Sequence, residues 1–178
     1  MLETASRAAR SASVTSTCCA DATQRADGVR RKRLPERPTI AWYHECLKAV
    51  VRRLTTETGA RIGLLSLPLV GQPGSLQAQA TADYSDVVRQ TAADFGVNYL
   101  PPHERQVEHL TARRQAEYRD DPGFVYSAIA QHMVLGRPWD DIARRRRLEL
   151  TTDHIHQNSR GAEQIADAVG DFRRQVDA

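Results

Sequence analysis

Long apolar runs, cysteine and a clear excess of charge of one sign are all scarce in this chain of 178 residues. No apolar run approaches the roughly 20 residues of a membrane-spanning helix, so we expect no transmembrane segment. The start of the sequence also lacks the apolar stretch of a secretory signal peptide. Both absences point away from a membrane-integrated or exported protein.

Cysteine occurs only three times, as Cys18, Cys19 and Cys46. An odd number, with two residues adjacent, does not form a disulfide framework, and no Cys-x-x-Cys spacing is present for zinc. Free thiols are typical of a reducing compartment. We therefore predict a cytoplasmic protein without a cysteine-bound metal.

The charges nearly cancel, leaving a net charge of +3. Residues 1–38 contribute +4 and residues 39–178 contribute −1, so the excess belongs to the first fifth of the chain. Its only compact basic cluster is Arg30–Arg33, which has no interleaved aromatic residues. We therefore expect no specific nucleic-acid partner.

Residues 1–38 contain only five large aliphatic residues among Ala, Ser, Thr, Arg and Asp. Such a segment cannot bury enough apolar surface to offset the entropy lost on ordering. We predict a disordered basic arm over residues 1–38 and a folded domain over residues 39–178.

Regular apolar spacing begins after Pro38. It predicts a helix from the cap Thr39 to Gly59, and a second helix over 80–95 that ends at Gly96. Short apolar runs at 62–67 and 97–100 predict buried strands. Alternating helices and strands are typical of a parallel α/β sheet.

The following segment, about 103–147, reads as a helical insertion. We expect helices at 106–119, 124–135 and 138–147, the last ending in Arg144–Arg147, either a solvated helix end or a contact for phosphate. Residues 148–151 are expected to form either one more strand or an extended approach to the next loop, before a final helix capped by Ser159.

Asp153 and His156 carry the clearest chemical pattern. Histidine is suited to take a hydroxyl proton near neutral pH, and a carboxylate fixes its tautomer. Two other interpretations remain: Asp153 caps the last helix, or Asp153, His154 and His156 bind a metal, although a third dependable ligand is not evident.

The stretch Asp153-His154-Ile155-His156, followed by Asn158, Gly161 and Ala162, resembles the last conserved block of the SGNH hydrolases, or GDSL-type esterases and lipases. The helix–strand unit that ends at Gly59–Pro68 is similar to the unit preceding that block. The resemblance covers about residues 38–178. It implies a partial flavodoxin-like three-layer α/β/α fold with parallel strands.

For function, the resemblance implies that His156 is the general base and Asp153 its orienting carboxylate. The implied substrate is a small ester, of a lipid or an acylated sugar, and no cofactor or metal is required.

The sequence departs from this family in its nucleophile and oxyanion blocks. In the family the nucleophilic serine lies in a Gly-Asp-Ser block after the first strand, and this sequence has no such block; Gly74-Ser75-Leu76 resembles a fragment of one but follows an internal strand. The oxyanion glycine and the Gly-x-Asn-Asp block are also missing, and oxyanion donors are worth orders of magnitude in rate. We therefore expect a truncated or inactive relative that keeps a remnant of the catalytic dyad.

The alternative is a non-catalytic α/β binding or structural fragment. Its incomplete sheet would self-associate through an exposed edge.

Overall fold

The structure, a computed structural model, describes residues 39–111 and 121–177. The chain divides into two compact units, Met1–Glu45 and Cys46–Ala178. In the first unit, the described residues begin helix α1 (Ile40–Glu57), where the Thr39 hydroxyl accepts a hydrogen bond from the Trp42 N–H at 3.1 Å. This confirms the predicted N-cap. The predicted disordered arm, residues 1–38, lies outside the described residues.

Six helices and two short strands make up the regular structure of the described residues. The helices after α1 are α2 (Leu76–Phe95), α3 (Pro102–Thr111), α4 (Pro122–Leu135), α5 (Trp139–Arg145) and α6 (Ser159–Asp177). The strands are β1 (Gly63–Leu65) and β2 (Asn98–Leu100). Of the helices described, none combines the length and apolar character needed to cross a bilayer.

Strands β1 and β2 form a parallel pair connected through α2, in which Leu64 lies opposite Tyr99. Helix α2 packs against both strands and α6 against β2. The described chain is therefore mostly helical with a small parallel sheet, which confirms the coarse α/β prediction.

Both strands are shorter than predicted, although ladder hydrogen bonds flank β1: the Ser66 N–H donates to the Leu100 carbonyl at 2.9 Å and the Asn98 N–H donates to the Ile62 carbonyl at 3.1 Å. Beyond these residues the backbone bonds to groups outside the strand pair. The Leu67 N–H bonds to the Ser85 hydroxyl at 3.1 Å, and the Val97 N–H bonds to the Ala92 carbonyl of α2 at 3.0 Å. Strand β1 is also only partly buried, with Leu65 37% exposed, whereas the apolar run had predicted a strand buried on both faces.

Helix α2 ends at Gly96 as predicted, where a left-handed φ of 63° lets the glycine N–H reach the carbonyls of the last turn. It starts earlier than predicted, at Leu76, because the Ser75 hydroxyl accepts from the Ala78 N–H. Helix α4 begins after the cap Asp121 and ends at Gly136, in agreement with the prediction for this element.

Three predicted details near the C-terminal half are wrong or incomplete. Residues 148–151 form no extended strand; Leu148 and Leu150 are buried, and only an isolated antiparallel bridge joins Thr151 to Gln157. The cap of α6 is Asn158 rather than Ser159, because the Asn158 Oδ1 accepts from the Gly161 N–H at 3.0 Å. The helix predicted at 106–119 starts at Pro102, and residues 112–120 lie outside the described part.

A small apolar core fixes the position of the loop before α6. It consists of Leu69, Ala78, Leu110 and Leu150, with Val107 packed against it. These residues come from the loop after β1, from α2 and α3, and from the segment before the Asp-x-x-His stretch. The core therefore anchors the candidate site to α2, α3 and the loop after β1.

Candidate functional site

The Asp-x-x-His stretch forms a loop whose two ends are held together by the backbone. The Thr152 N–H donates to the His156 carbonyl at 2.8 Å, and the Asn158 N–H donates to the Leu150 carbonyl at 2.9 Å. Together with the bridge between Thr151 and Gln157, these bonds fix the loop immediately before α6. The spacing of acid and imidazole is thus set by a closed turn.

Asp153 and His156 contact each other through their side chains. The His156 Nδ1 lies 2.8 Å from the Asp153 Oδ2. An ionised carboxylate only accepts hydrogen bonds, so Nδ1 carries the proton and Nε2 keeps its lone pair. The Asp153 side chain is 2% exposed, whereas the His156 side chain is 66% exposed. The imidazole is accessible while its carboxylate partner is buried.

The Asp153 carboxylate is stabilised in its ionised form. Burial acts to raise its pKa, but hydrogen bonds from the backbone N–H and imidazole of His156 and from the Ile155 N–H outweigh burial. The Asp153 Oδ1 accepts from the backbone N–H of His156 at 2.8 Å and from that of Ile155 at 3.1 Å. The net result is a pKa below the usual value of an aspartate.

Two glutamines fasten the loop to the rest of the unit. The fully buried Gln106 of α3 accepts from the Leu69 N–H at 2.7 Å and donates to the Gln157 Oε1 at 2.9 Å. In turn, Gln157 donates to the Leu69 carbonyl at 3.1 Å. This network holds the residue directly after His156 in place. Sequence reasoning missed both glutamines, because nothing in their local pattern signals these long-range hydrogen bonds.

Arg146 supports the other side of the loop. Its guanidinium lies 4.0 Å from the centre of the Phe124 ring, and its Nη1 donates to the Phe124 carbonyl at 2.8 Å and more weakly to the Thr152 carbonyl at 3.4 Å. The Phe124 ring in turn stacks on His154 at 5.2 Å. Arg146 therefore belongs to the fold and is not a solvated helix end as its arginine-rich context had suggested.

His154 is turned away from the dyad's open side. It is buried, adopts a left-handed φ of 71°, and its pKa is lowered chiefly by burial. His154 and His156 therefore do not converge on one ion, and no group of three or more metal-ligating side chains occurs in residues 39–111 and 121–177. The geometry contradicts the metal-binding interpretation of this stretch.

A cavity of about 490 Å³ adjoins the dyad. It is lined by Ile129, Trp139, Thr152, Asp153, His156, Gln157, Asn158, Ser159 and Ala162. Apolar side chains from α4, α5 and α6 thus face the imidazole. A larger cavity of about 750 Å³ shares Asn158 and Ser159 with this one but is lined by neither His156 nor Asp153.

Within the described residues, no serine or threonine hydroxyl is hydrogen-bonded to the His156 ring. Ser75 of the Gly-Ser-Leu fragment caps α2 instead. Ser66 is buried, where its hydroxyl accepts from the His103 N–H at 2.8 Å and donates to the Glu104 carboxylate at 3.2 Å. Ser159 lines the cavity, but its N–H is held by Asp140 at 3.0 Å.

Asn158 and Gly161, which follow the Asp-x-x-His stretch, have structural roles. Asn158 caps α6 and also donates to the Glu149 carbonyl at 2.9 Å. Gly161 sits so close to the loop that an added Cβ would collide with the Leu150 carbonyl oxygen and the Gln157 side chain. Both residues hold the His156 loop against the first turn of α6.

Comparison of the chain with protein-family profiles, curated proteins and solved structures found no match.

Proposed function

We propose that this chain is a relative of the SGNH ester hydrolases in which His156, oriented by Asp153, is the general base for ester cleavage. The observation that carries the proposal is the dyad itself. A buried, ionised carboxylate lies 2.8 Å from Nδ1, and the imidazole side chain is 66% exposed beside a cavity. This is the arrangement that general-base catalysis requires.

The cavity suits the acyl part of a small ester. Ile129, Trp139 and Ala162 offer apolar surface, and polar groups are grouped around His156. A ligand site of this type buries apolar groups and fixes a few polar atoms. We propose an ester of a lipid or an acylated sugar as the substrate class, with no cofactor.

The proton route follows from the tautomer. A water molecule attacks the ester carbonyl carbon while the His156 Nε2 takes one of its protons. The tetrahedral intermediate then collapses, and the alkoxide leaves with that proton. Asp153 remains ionised and stabilises the imidazolium formed in between. Among the described residues, no hydroxyl is hydrogen-bonded to the His156 ring. We therefore propose that water rather than serine is the nucleophile. Such a reaction should be slow.

The finer fold assignment belongs to the same proposal. In a flavodoxin-like three-layer fold, β1 and β2 with their helices would be neighbouring elements of a larger parallel sheet. The parallel pairing and the crossover through α2 support this assignment.

A second candidate is a binding module that holds an apolar ligand without chemistry. The absence of a hydroxyl hydrogen-bonded to the His156 ring in the described residues favours it. The ligand would occupy the same cavity as the proposed ester, but Asp153 and His156 would then have only a structural role.

Hydrolysis of p-nitrophenyl acetate and butyrate by the whole chain separates the two candidates. General-base catalysis typically contributes about 10²–10⁴-fold, so we expect His156→Ala to lose at least about tenfold of the rate above buffer. Asp153→Asn should lose a similar share, since it favours the wrong tautomer. The matched control is His109→Ala, because the His109 Nε2 also lies near a carboxylate, 3.9 Å from Glu149, but outside the cavity.

Equal rates for the wild type, His156→Ala and His109→Ala would remove the hydrolase proposal. The binding module would then be tested by quenching of Trp139 fluorescence with butyrate esters in a Trp42→Phe background.

A further inference from the structure

Helix α4 presents apolar side chains to solvent along its outer face. Tyr126 is 70% exposed, Met133 75% and Val134 78%. Positions 126, 129 and 133 follow the spacing of one helix face, and Ala128, which is buried, lies on the other face. An ordinary surface helix carries polar groups outside. In α4 the outward stripe is apolar.

The composition of α4 distinguishes it from a helix that is merely poorly packed. Its 14 residues, PGFVYSAIAQHMVL, contain no Asp, Glu, Lys or Arg. At about 1.5 Å per residue the helix is roughly 21 Å long, shorter than the hydrocarbon thickness of about 30 Å of a bilayer. A helix that is apolar on all sides is normally buried, so the exposed side of α4 calls for an apolar covering that a helix of this length could find at a membrane surface without spanning the bilayer.

The next segment adds an aromatic anchor and positive charge. Trp139 is 40% exposed and stacks on His132 of α4 at 4.1 Å, so it extends the apolar surface into α5. Residues 136–147 contain five arginines and two aspartates, a net charge of +3, and Arg144, Arg145 and Arg147 are exposed. An apolar face with a tryptophan beside a basic segment is typical of interfacial attachment to anionic lipid.

We propose that the outer stripe of α4 (Tyr126, Ile129, Met133 and Val134), together with Trp139, docks on an anionic lipid surface, with Arg145 at the end of α5 and Arg147 just after it contacting lipid phosphates. The charge complementarity selects this occupant over a neutral apolar partner. The proposal goes beyond ester hydrolysis, since lipid binding requires no reaction.

Docking would also place the dyad at the membrane surface. Ile129 and Trp139 belong to the stripe and at the same time line the cavity next to His156. An acyl chain leaving the bilayer would therefore meet apolar surface all the way to the cavity. This continuity is the link between the docking surface and the ester class proposed above.

Vesicle flotation of the whole chain tests the docking surface. We expect co-flotation with vesicles of equal parts phosphatidylcholine and phosphatidylglycerol, and weaker binding to phosphatidylcholine alone. The double variant Met133→Asp with Val134→Asp should lose roughly tenfold or more of the bound fraction, because carboxylates are costly to insert among lipid chains. Both side chains are highly exposed, so the helix should fold unchanged, which circular dichroism checks.

The matched control is Val50→Asp on α1, where the native side chain is 54% exposed and lies outside the stripe. It should float like the wild type, and so should His156→Ala, which separates this result from the hydrolysis assay. Unchanged flotation of the double variant would overturn the proposal. A wild-type chain that binds neither vesicle type would also overturn it. That outcome would include a stripe that forms a dimer, which the double variant would dissociate.

Discussion

Asp153 is the residue at which chemistry and stability are most closely linked. Its folded pKa lies below the ordinary aspartate value of about 3.9 expected for the unfolded chain. A carboxylate of this kind stabilises the folded state above the unfolded pKa, and the stabilisation is lost as the pH falls through the folded value.

We therefore expect Asp153→Asn to lower the free energy of unfolding by about 1.5–3 kcal/mol at neutral pH, the range for hydrogen bonds to a charged group. The difference from the wild type should shrink as the pH falls below about 4. Urea denaturation at a series of pH values measures it, with Asp83→Asn, at an exposed position of α2, as the control. A difference that stays constant with pH would contradict the assignment.

Gly161 sets how closely α6 approaches the His156 loop. A methyl group there would collide with the Leu150 backbone carbonyl, which cannot move without disturbing the buried core residue. We expect Gly161→Ala to destabilise the chain by about 1–3 kcal/mol through overpacking.

Gly170 of the same helix offers the control, since an added Cβ would meet only the end of the Arg174 side chain, at 3.4 Å. Gly170→Ala should be neutral or stabilise by up to about 1 kcal/mol, from helix propensity alone. Chemical denaturation compares the two variants. Similar effects at both glycines would mean that the close approach is not needed.

At the scale of elements, Ser75 has a structural role, because it caps the start of α2. As an N-cap it also accepts from the Gln72 N–H at 3.2 Å, so it orders the loop before the helix. Ser75→Ala should cost about 0.5–2 kcal/mol of stability and leave the ester hydrolysis rate of the folded protein unchanged. Thr56→Ala, at an exposed position on α1, should change stability by only a few tenths of a kcal/mol. A loss of hydrolysis equal to that of His156→Ala would instead make Ser75 part of the reacting machinery.

Helices were more predictable than strands. The apolar spacing and caps of α1, α2 and α4 are local signals, and Thr39, Gly96 and Gly136 mark helix ends as expected. The surroundings of the strand ends depend on distant partners, since the Leu67 N–H donates to the Ser85 hydroxyl of α2 rather than to a strand. No local pattern contains that choice. The same holds for residues 148–151, where burial of two leucines occurs without a strand.

For the whole molecule, the two-stranded sheet is a feature through which copies of the chain could pair. In the described part of the chain, each strand has one strand neighbour, and Leu65 at the end of β1 is 37% exposed. Unpaired sheet edges promote association. We expect concentration-dependent self-association that Leu65→Lys weakens and that Leu76→Lys, at a 67% exposed site outside the sheet, leaves unchanged. Sedimentation velocity over a range of concentrations measures this, and a monomer at every concentration would contradict it.

The sequence by itself determined that most of these helices form, with the caps Thr39, Gly96 and Gly136, and it indicated the pairing of Asp153 with His156, because these features depend on residues within a few positions of one another. It also implied the cleavage chemistry through a family resemblance, which stays a proposal. The tertiary structure alone decided that Gln106 and Arg146 hold the loop, that His154 turns inward, and that the outer face of α4 is apolar. Those features arise from contacts between residues distant along the chain, and side-chain spacing carries no information about them.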